Sequence, residues 1–248
     1  MTKVTHIVDL HTCIQGEGKY AGIPHILIRL SGCNLNCQFK DSICDTSYAS
    51  WRPEKGTYLL EDVEKILVKN PQIKHSFITG GEPTIYPDEL CEIYRLLKSY
   101  NHFVSIETNG TNEISCTFDF LSISPKMRNS TPIPGSIIND DYISVTVKET
   151  DKKTHEAKRI NLPVLKQLTN KNNYQLKFVV SVFDDLEEIQ ELQNTLKIPS
   201  SNIFLMPEGI SQKQLNDKRK WLIELCINHG YNFSDRLHII AYGNKRDA

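Results

Sequence analysis

Three closely spaced cysteines are the residues of this sequence best suited to chemistry. Three residues separate Cys33 from Cys37, and six residues separate Cys37 from Cys44. The group follows the apolar run 26–30, so we expect it on a loop that leaves a buried strand. Thiolates are good ligands for zinc and for iron-sulfur clusters. Three cysteines can hold a cluster with one iron open, and an open iron can bind a reactant.

A closed zinc site is the alternative use of this cysteine group. Such a site needs a fourth ligand nearby. No second cysteine pair is present, and His25, the nearest histidine before the loop, lies within the predicted strand. The spacing favours an open iron-sulfur site and leaves the zinc site as the alternative.

The other cysteines are scattered along the chain. With seven cysteines in total and no secretion signal, we expect reduced thiols rather than a disulfide framework. We expect the four scattered cysteines to be small residues of the core or the surface: Cys13, Cys91, Cys116 and Cys226.

Short apolar runs alternate with segments of helical periodicity. Strands are predicted at 26–30, 76–79, 104–107, 120–124, 176–180, 203–206 and 237–241. Helices are predicted around 59–67, 90–97, 186–192 and 221–226. This alternation implies a parallel sheet with right-handed crossovers. The stretch 127–153 fits less well, with a loop at 132–135 and a possible extra strand at 142–147. One α/β domain over residues 1–248 is the simplest organisation.

Polar motifs, several of them containing glycine, follow five of the predicted strands. They occupy residues 33–46, 79–83, 107–110, 124–126 and 206–209. An open sheet gathers its site at a switch point, whereas a barrel gathers it from many strand ends. Five strand ends on one face therefore predict a barrel or partial barrel.

Composition excludes several classes of partner. The chain has 29 basic and 30 acidic residues in 248, and its formal charge is -1. This balance gives no sign of a surface for nucleic acid or another polyanion, or of a strongly acidic partner. No apolar run approaches the roughly 18 residues of a membrane span, and the first residues lack the apolar core of a signal peptide. We expect a cytoplasmic protein that binds neither nucleic acid nor membrane.

The cysteine loop resembles that of radical S-adenosylmethionine (SAM) enzymes. The first gap, Asn34-Leu35-Asn36, has the three residues usual in that superfamily. The second gap, residues 38–43, is four residues longer than usual, so we expect the loop to bulge if Cys44 reaches the cluster. The following Asp45-Thr46 supports the alignment.

The resemblance narrows to the 7-carboxy-7-deazaguanine synthases and covers nearly the whole chain. The matching motifs occur at residues 14–18, 28–35, 44–49, 79–83, 107–111, 124–126, 235–238 and 242–246. Their joint order is more specific than Gly80-Gly81-Glu82-Pro83 alone, which marks only the superfamily. The resemblance implies an incomplete TIM-type β/α barrel of the radical SAM kind, with about six parallel core strands. It also implies a cluster loop at 33–46 and a C-terminal segment, 235–248, that reaches the substrate pocket.

The family resemblance implies a specific reaction and its cofactors. The reaction converts 6-carboxy-5,6,7,8-tetrahydropterin to 7-carboxy-7-deazaguanine, a queuosine precursor, with loss of ammonia. A [4Fe-4S] cluster on Cys33, Cys37 and Cys44 would bind SAM, and Thr46 would bind Mg²⁺. By itself, Thr46 would more commonly cap a helix or form a turn. The sequence has no recognisable flavin domain or second cluster motif, so we expect an external one-electron donor protein. A homodimer is expected from the family alone.

The resemblance also assigns residues to the two small molecules. Those implied for SAM are Ile43, Asp45, Gly80, Gly81, Glu82, Asn109, Ser124, Pro125, Lys126, Met206, Pro207 and Glu208. Those implied for the pterin are Ile14, Gln15, Gly16, Glu17, Arg29, Thr79 and His238.

Arg29 illustrates how the residues themselves support these assignments. It interrupts an apolar strand, so its side chain either enters a polar cavity or extends from the outer face. A planar guanidinium suits a substrate carboxylate, and the resemblance favours that role.

Two other functions compete with the synthase interpretation. One is a different radical SAM enzyme, such as an activase that makes a glycyl radical on a protein. The other is a zinc-binding module without catalysis. Product formation would separate the first from the synthase, and iron, sulfide and zinc content would separate the second.

Overall fold

The computed structural model describes residues 4–40, 42–171 and 173–246, and a mainly parallel sheet lies at its centre. The strands in chain order are β1 (Ile7–Ile14), β2 (Pro24–Leu30), β3 (His75–Gly80), β4 (Phe103–Thr108), β5 (Phe120–Ile123), β6 (Ile137–Asn139), β7 (Ser144–Thr146), β8 (Tyr174–Val180), β9 (Ile203–Pro207) and β10 (Asn232–Phe233). The helices are α1 (Leu60–Lys69), α2 (Pro87–Ser99), α3 (Glu149–Lys158), α4 (Leu162–Lys171), α5 (Asp185–Leu196), α6 (Gln212–His229) and α7 (Leu237–Tyr242).

The main sheet has eight strands in the order β1-β2-β3-β4-β5-β8-β9-β10. Strand β1 is antiparallel to β2, and all the other neighbours are parallel. The six strands β2 to β5, β8 and β9 correspond to the six predicted core strands. Because β1 and β10 stand at opposite ends of the sheet, the barrel is open. The α/β class and the partial barrel are confirmed.

Helices on the outer face bury the apolar residues that predicted them. Val63 and Leu67 of α1, and Leu90, Ile93 and Leu97 of α2, belong to the same core as the strands. The strands read as continuous apolar runs because a parallel sheet covered by helices is buried on both faces. The predicted helices around 59–67, 90–97, 186–192 and 221–226 are all confirmed.

Several local predictions are wrong or incomplete. The segment 237–241 forms helix α7 rather than a strand, because a short apolar run has no periodicity that separates the two. Strand β1 and helices α3 and α4 were not predicted. The extra strand expected at 142–147 is β7, which pairs with β6 in a separate hairpin.

The cysteine prediction is also wrong for one pair. Cys91 of α2 forms a disulfide with Cys116, which lies between β4 and β5. Twenty-five positions separate the two residues in sequence. Only the packing of α2 beside the β4–β5 connection brings them together.

Of the described helices, none is long and apolar enough to cross a membrane.

Candidate active site

The carboxyl ends of the parallel strands open into a cavity of about 280 Å³. Most of the predicted site residues line it: Ile14, Gln15, Gly16, Glu17, Arg29, Cys33, Cys37, Ile43, Cys44, Asp45, Thr46, Thr79, Gly80, Gly81, Asn109, Ser124, Lys126, Met206, Pro207, Glu208 and His238. Glu82 and Pro125 are buried outside this lining. Folding thus brings residues from both ends of the chain into one cavity.

The two ends of the long gap before Cys44 pair with each other. Gln38 pairs with Ile43 in an antiparallel bridge, and the Phe39 N–H donates to the Ser42 carbonyl at 2.7 Å. The Cys44 N–H then donates to the Cys37 carbonyl at 3.3 Å. The extra residues therefore leave and rejoin the loop at nearly the same point, so Cys44 returns beside Cys37. Asp41, within the predicted cluster loop, lies outside the described residues.

Contacts with other segments hold the cysteine loop in place. The Gln38 N–H donates to the Ser130 carbonyl at 2.9 Å, and the indole of Trp51 donates to the Cys37 carbonyl at 3.0 Å. Trp51 also packs against the β6–β7 hairpin, and Cys44 lies partly buried at the edge of the same apolar cluster. The loop is thus braced by chain distant in sequence.

The thiols lie in a low-dielectric environment. Burial raises the pKa of Cys33 well above its usual range, and burial raises the pKa of Cys37 to about 12. Such thiols stay protonated at neutral pH unless a metal centre binds the thiolate. Soft sulfur donors facing one cavity fit an iron-sulfur cluster.

A single metal ion fits the described residues less well than a cluster. No group of three or more His, Cys, Asp or Glu side chains in the ranges 4–40, 42–171 and 173–246 is placed to bind one ion. In a cluster each cysteine binds a different iron, so the three thiols need not converge on one point.

The two glycines at the end of β3, Gly80 within the strand and Gly81 directly after it, are required because two main chains approach each other closely there. A Cβ on Gly81 would lie 2.1 Å from the Gly32 carbonyl oxygen and 2.3 Å from that of Ala49. A Cβ on Gly80 would lie 2.5 Å from the Leu30 carbonyl oxygen. The Gly81 N–H donates to the Leu30 carbonyl at 3.1 Å. The glycine pair therefore joins the β3 loop to the start of the cysteine loop.

Glu82 is turned into the protein rather than toward the cavity. Its carboxylate accepts hydrogen bonds from the Asn109 N–H at 2.6 Å, the Thr108 hydroxyl at 2.8 Å and the Thr84 hydroxyl at 2.6 Å. Burial raises the pKa of Glu82, although these donors oppose the effect. The residue links the loops that follow β3 and β4.

A chain of amides continues this link to the cysteines. The Asn109 side chain donates to Asn34 Oδ1 at 2.9 Å, and the Asn34 side chain donates to the Thr111 hydroxyl at 2.7 Å. Asn34 directly follows Cys33. The loops after β2, β3 and β4 therefore form one hydrogen-bonded unit around the first cysteine.

Lys126 lines the cavity near Cys37. Its ammonium group donates to the Ser124 hydroxyl at 2.7 Å and to the Ser124 carbonyl at 2.9 Å. Its positive charge lowers the pKa of Cys37 and thereby partly offsets the effect of burial, which raises that pKa. Lys126 thus adds positive charge on the cysteine side of the cavity.

Arg29 points into the cavity rather than out of the sheet. Its Nε donates to Asp9 Oδ2 at 2.8 Å, and Asp9 also accepts from the Tyr48 hydroxyl at 2.7 Å. Arg246 near the C-terminus donates to the other oxygen of Asp9 at 2.8 Å, and its guanidinium lies 4.0 Å from the centre of the Tyr48 ring. The predicted C-terminal segment therefore closes one side of the cavity, and its residues 247–248 lie outside the described part of the chain.

A buried group of charges forms the centre of the cavity. One oxygen of Glu17 pairs with the ammonium group of Lys177, and the other accepts from Arg236 Nε at 2.9 Å. His238 Nε2 lies 3.8 Å from Glu17, and Arg236 also pairs with Asp45. Burial alone would raise the pKa of Glu17, but Lys177 and Arg236 together hold it well below its usual range. Glu17 is therefore ionised in the folded protein.

Glu17 predicts a pH-dependent stability. Because the pKa of Glu17 is lower in the folded than in the unfolded protein, its carboxylate stabilises the fold fully at pH values above the unfolded pKa of 4.5. This stabilisation is lost as the pH falls from 4.5 toward the folded pKa. Removing one partner of a buried ion pair costs about 3 kcal/mol. We expect Glu17→Gln to lower the free energy of unfolding by about that amount at pH 7, and by clearly less below pH 4.5, in urea titrations. The exposed Glu61→Gln is the control, and a deficit that does not change with pH would contradict the assignment.

Glu107 adds a second carboxylate to this part of the cavity. It accepts from the Thr79 hydroxyl at 2.9 Å and from the Gln15 amide at 3.3 Å, and it lies 4.0 Å from Lys177 Nζ. Thr79 and Gln15 are thereby oriented by the same group. The arrangement offers both donors and acceptors to a polar ligand.

Sequence reasoning missed four charged residues of the cavity. Lys177 interrupts the apolar run of β8 as Arg29 interrupts that of β2, so the same signal was present. Glu107 and Arg236 lie in the motifs at 107–111 and 235–238, where neither residue was assigned a role. Asp9 lies on β1, which was not predicted.

The His238 ring can occupy its position only because residue 16 is a glycine and has no side chain. A Cβ on Gly16 would lie 2.1 Å from His238 Nδ1, and the Gly16 carbonyl accepts from the Leu237 N–H at 3.0 Å. His238 thus reaches the cavity from the first turn of α7, not from the strand that had been expected. Burial lowers its pKa, although Glu17 opposes this.

Thr46 is not used as a helix cap. It precedes a short 3₁₀ turn over Ser47–Ala49, but its side chain makes no capping hydrogen bond. The hydroxyl lies 3.4 Å from Cys44 Sγ and lines the cavity. Its placement leaves the hydroxyl available to a ligand beside the third cysteine.

Comparisons with known proteins identify the family of this chain. Residues 27–208 match the model of the radical SAM superfamily. A 7-carboxy-7-deazaguanine synthase from Rhodopirellula baltica is 40% identical over 94% of this chain and 84% of its own length. One from Halobacterium salinarum is 33% identical over 96% of this chain and 90% of its own length.

A solved structure shows the same fold. The crystal structure of QueE from Escherichia coli matches with a TM-score of 0.64 at 22% identity, covering 94% of this chain and 95% of that one. Fold and sequence therefore agree, and the chain belongs to the 7-carboxy-7-deazaguanine synthase family of the radical SAM superfamily.

Proposed function

We propose that the chain converts 6-carboxy-5,6,7,8-tetrahydropterin to 7-carboxy-7-deazaguanine with loss of ammonia. The observation that carries the proposal is one cavity lined by two chemically different groups of side chains. One group is the three cysteine thiols, and the other is the paired charges around Glu17 and Arg29. The first group suits a cluster with SAM, and the second suits a small polar substrate. The family relationship supports this assignment of the two groups.

Residues from several strand ends would hold the cofactors. Cys33, Cys37 and Cys44 would bind a [4Fe-4S] cluster. SAM would lie against the main chain of Gly80 and Gly81 and the other predicted residues that line the cavity. When bound, the two supply the radical chemistry that removes a hydrogen atom from the substrate. Glu82 would act on SAM through the loops it joins, because its carboxylate is already bonded within the protein.

The protein's own contribution on the substrate side is binding and orientation. The Arg29 guanidinium would bind the pterin carboxylate, and Asp9 would keep it aimed at the cavity. Gln15, Thr79 and Glu17 would meet the polar edges of the ring. Ile14 and Gly16 would contact it through main chain or apolar surface, and His238 would close the pocket. Burial of these groups excludes water from reactive intermediates.

A magnesium ion, an electron donor and a second copy of the chain would complete the enzyme. Thr46 would bind Mg²⁺ together with substrate oxygens and water, since magnesium commonly uses few protein ligands. An external protein would supply the electron, and two copies would form a homodimer. A single domain over residues 1–248 would carry all of these functions.

An anaerobic product assay tests the proposal. Reconstituted, reduced protein is incubated with SAM and 6-carboxy-5,6,7,8-tetrahydropterin, and the products are analysed by mass spectrometry. We expect 7-carboxy-7-deazaguanine and cleaved SAM. Cleaved SAM without that product would favour another radical SAM activity, such as a glycyl-radical activase. Stoichiometric zinc without sulfide in anaerobically purified protein would instead favour the binding module.

A further inference from the structure

Helix α3 contacts the cysteine loop, and none of its residues lines the main cavity. The Asn36 amide, between Cys33 and Cys37 in sequence, donates to Asp151 Oδ1 of α3 at 3.2 Å. The buried His155 of α3 lies 3.1 Å from the hydroxyl of Ser130, whose carbonyl binds the same loop. One helix therefore separates this part of the loop from the surface.

A second cavity reaches the same loop from outside. It is an open groove of about 850 Å³. Asn34 and Thr111 form part of one wall, and the segment from Ala157 to Pro163 forms the other. Asn34 directly follows Cys33 and is bonded to Asn109 in the wall of the main cavity. The groove thus comes within one residue of a predicted cluster ligand.

The surface around this groove is basic. Residues 148–159 contain five basic and three acidic residues in a chain whose net charge is -1. Lys152, Lys153 and Lys158 are exposed. Two of the three acidic residues bind within the protein, Asp151 to Asn36 and Glu156 to Arg159 Nε at 3.0 Å, whereas Glu149 is exposed. The lysines therefore present their charge to solvent.

An apolar patch lies at the groove beside Lys158. Leu162 is 41% exposed, and Pro163 beside it is also exposed. Both line the groove. An apolar centre with a charged rim is the usual anatomy of a protein interface.

We infer that the lysine face of α3 and the groove beside it dock an acidic one-electron carrier protein. The inference rests on the proposed function, which requires an electron from outside the chain. The carrier's reduced flavin or iron-sulfur group would lose one electron, and the cluster on Cys33, Cys37 and Cys44 would gain it. Opposite charge speeds encounter and orients the carrier, and this face offers a short path to the loop.

Charge reversal on α3 tests the inference. The variant is Lys152→Glu/Lys153→Glu, and the matched control is Lys65→Glu/Lys69→Glu on α1, which changes the net charge equally at exposed positions. Binding of a purified acidic flavodoxin is measured by calorimetry at low and high salt. We expect about ten-fold weaker binding for the α3 variant at low salt, little change for the control, and a smaller difference at high salt.

Reduction kinetics separate this inference from the proposed activity. The rate of cluster reduction is followed optically with reduced flavodoxin and, separately, with dithionite. We expect the α3 variant to be slowed only with flavodoxin. Equal flavodoxin binding and reduction by both variants would overturn the inference, even if 7-carboxy-7-deazaguanine is formed. If charge reversal prevents folding, Lys152→Gln/Lys153→Gln must still weaken flavodoxin binding, or the inference is wrong.

Discussion

Cys44→Ala is expected to abolish cluster assembly, although the gap before Cys44 is longer than the family usually has. The reason is the bridge between Gln38 and Ile43, which returns the chain so that the Cys44 N–H donates to the Cys37 carbonyl. Iron and sulfide after anaerobic reconstitution should fall to background, as they should for Cys33→Ala and Cys37→Ala. SAM cleavage should be lost with them.

Cys226→Ala is the matched control for this experiment. Cys226 is a buried thiol of α6 that lies outside the cavity lining, so its removal should cost about 1 kcal/mol of stability and leave the cluster intact. Cys91 would be a poor control because it is bonded to Cys116. Equal iron and sulfide in Cys44→Ala and Cys226→Ala would show that Cys44 is not a ligand.

Gly81→Ala should damage both the fold and the cluster loop. Its Cβ would lie 2.1 Å and 2.3 Å from two main-chain carbonyl oxygens, of Gly32 and Ala49, neither of which can rotate away. Overpacking of this kind costs about 3 kcal/mol, and here the strain falls on the residue that precedes Cys33. We expect a lower free energy of unfolding in urea and poor cluster incorporation.

Gly22→Ala separates this steric effect from the ordinary cost of losing a glycine. Gly22 has a positive φ of 90°, and no atom lies within 4 Å of the position that a Cβ would take there. Only backbone preference is lost, which costs about 1 kcal/mol. The control should retain its cluster. If Gly81→Ala were no less stable than Gly22→Ala, the close approach of the two loops would be wrong.

The glycine and glutamate motif shows how far sequence pattern can lead. Pattern placed Gly80, Gly81 and Glu82 correctly at the end of β3. It did not show that the glycines are packed against the Leu30 and Gly32 main chain, or that Glu82 binds the loop after β4. The neighbours of a motif come from other strands, so its local sequence carries no record of them.

The sequence by itself determined the order of the six parallel core strands and of four helices, the cysteine ligand set to be tested and the strand ends that carry the site. These follow from local periodicity and spacing, which depend on neighbouring residues. Only the tertiary structure decided the Glu17–Lys177–Arg236 group, the Cys91–Cys116 disulfide and the helical state of 237–242. Each depends on segments far apart in the chain, where packing and charge pairing outweigh local preference.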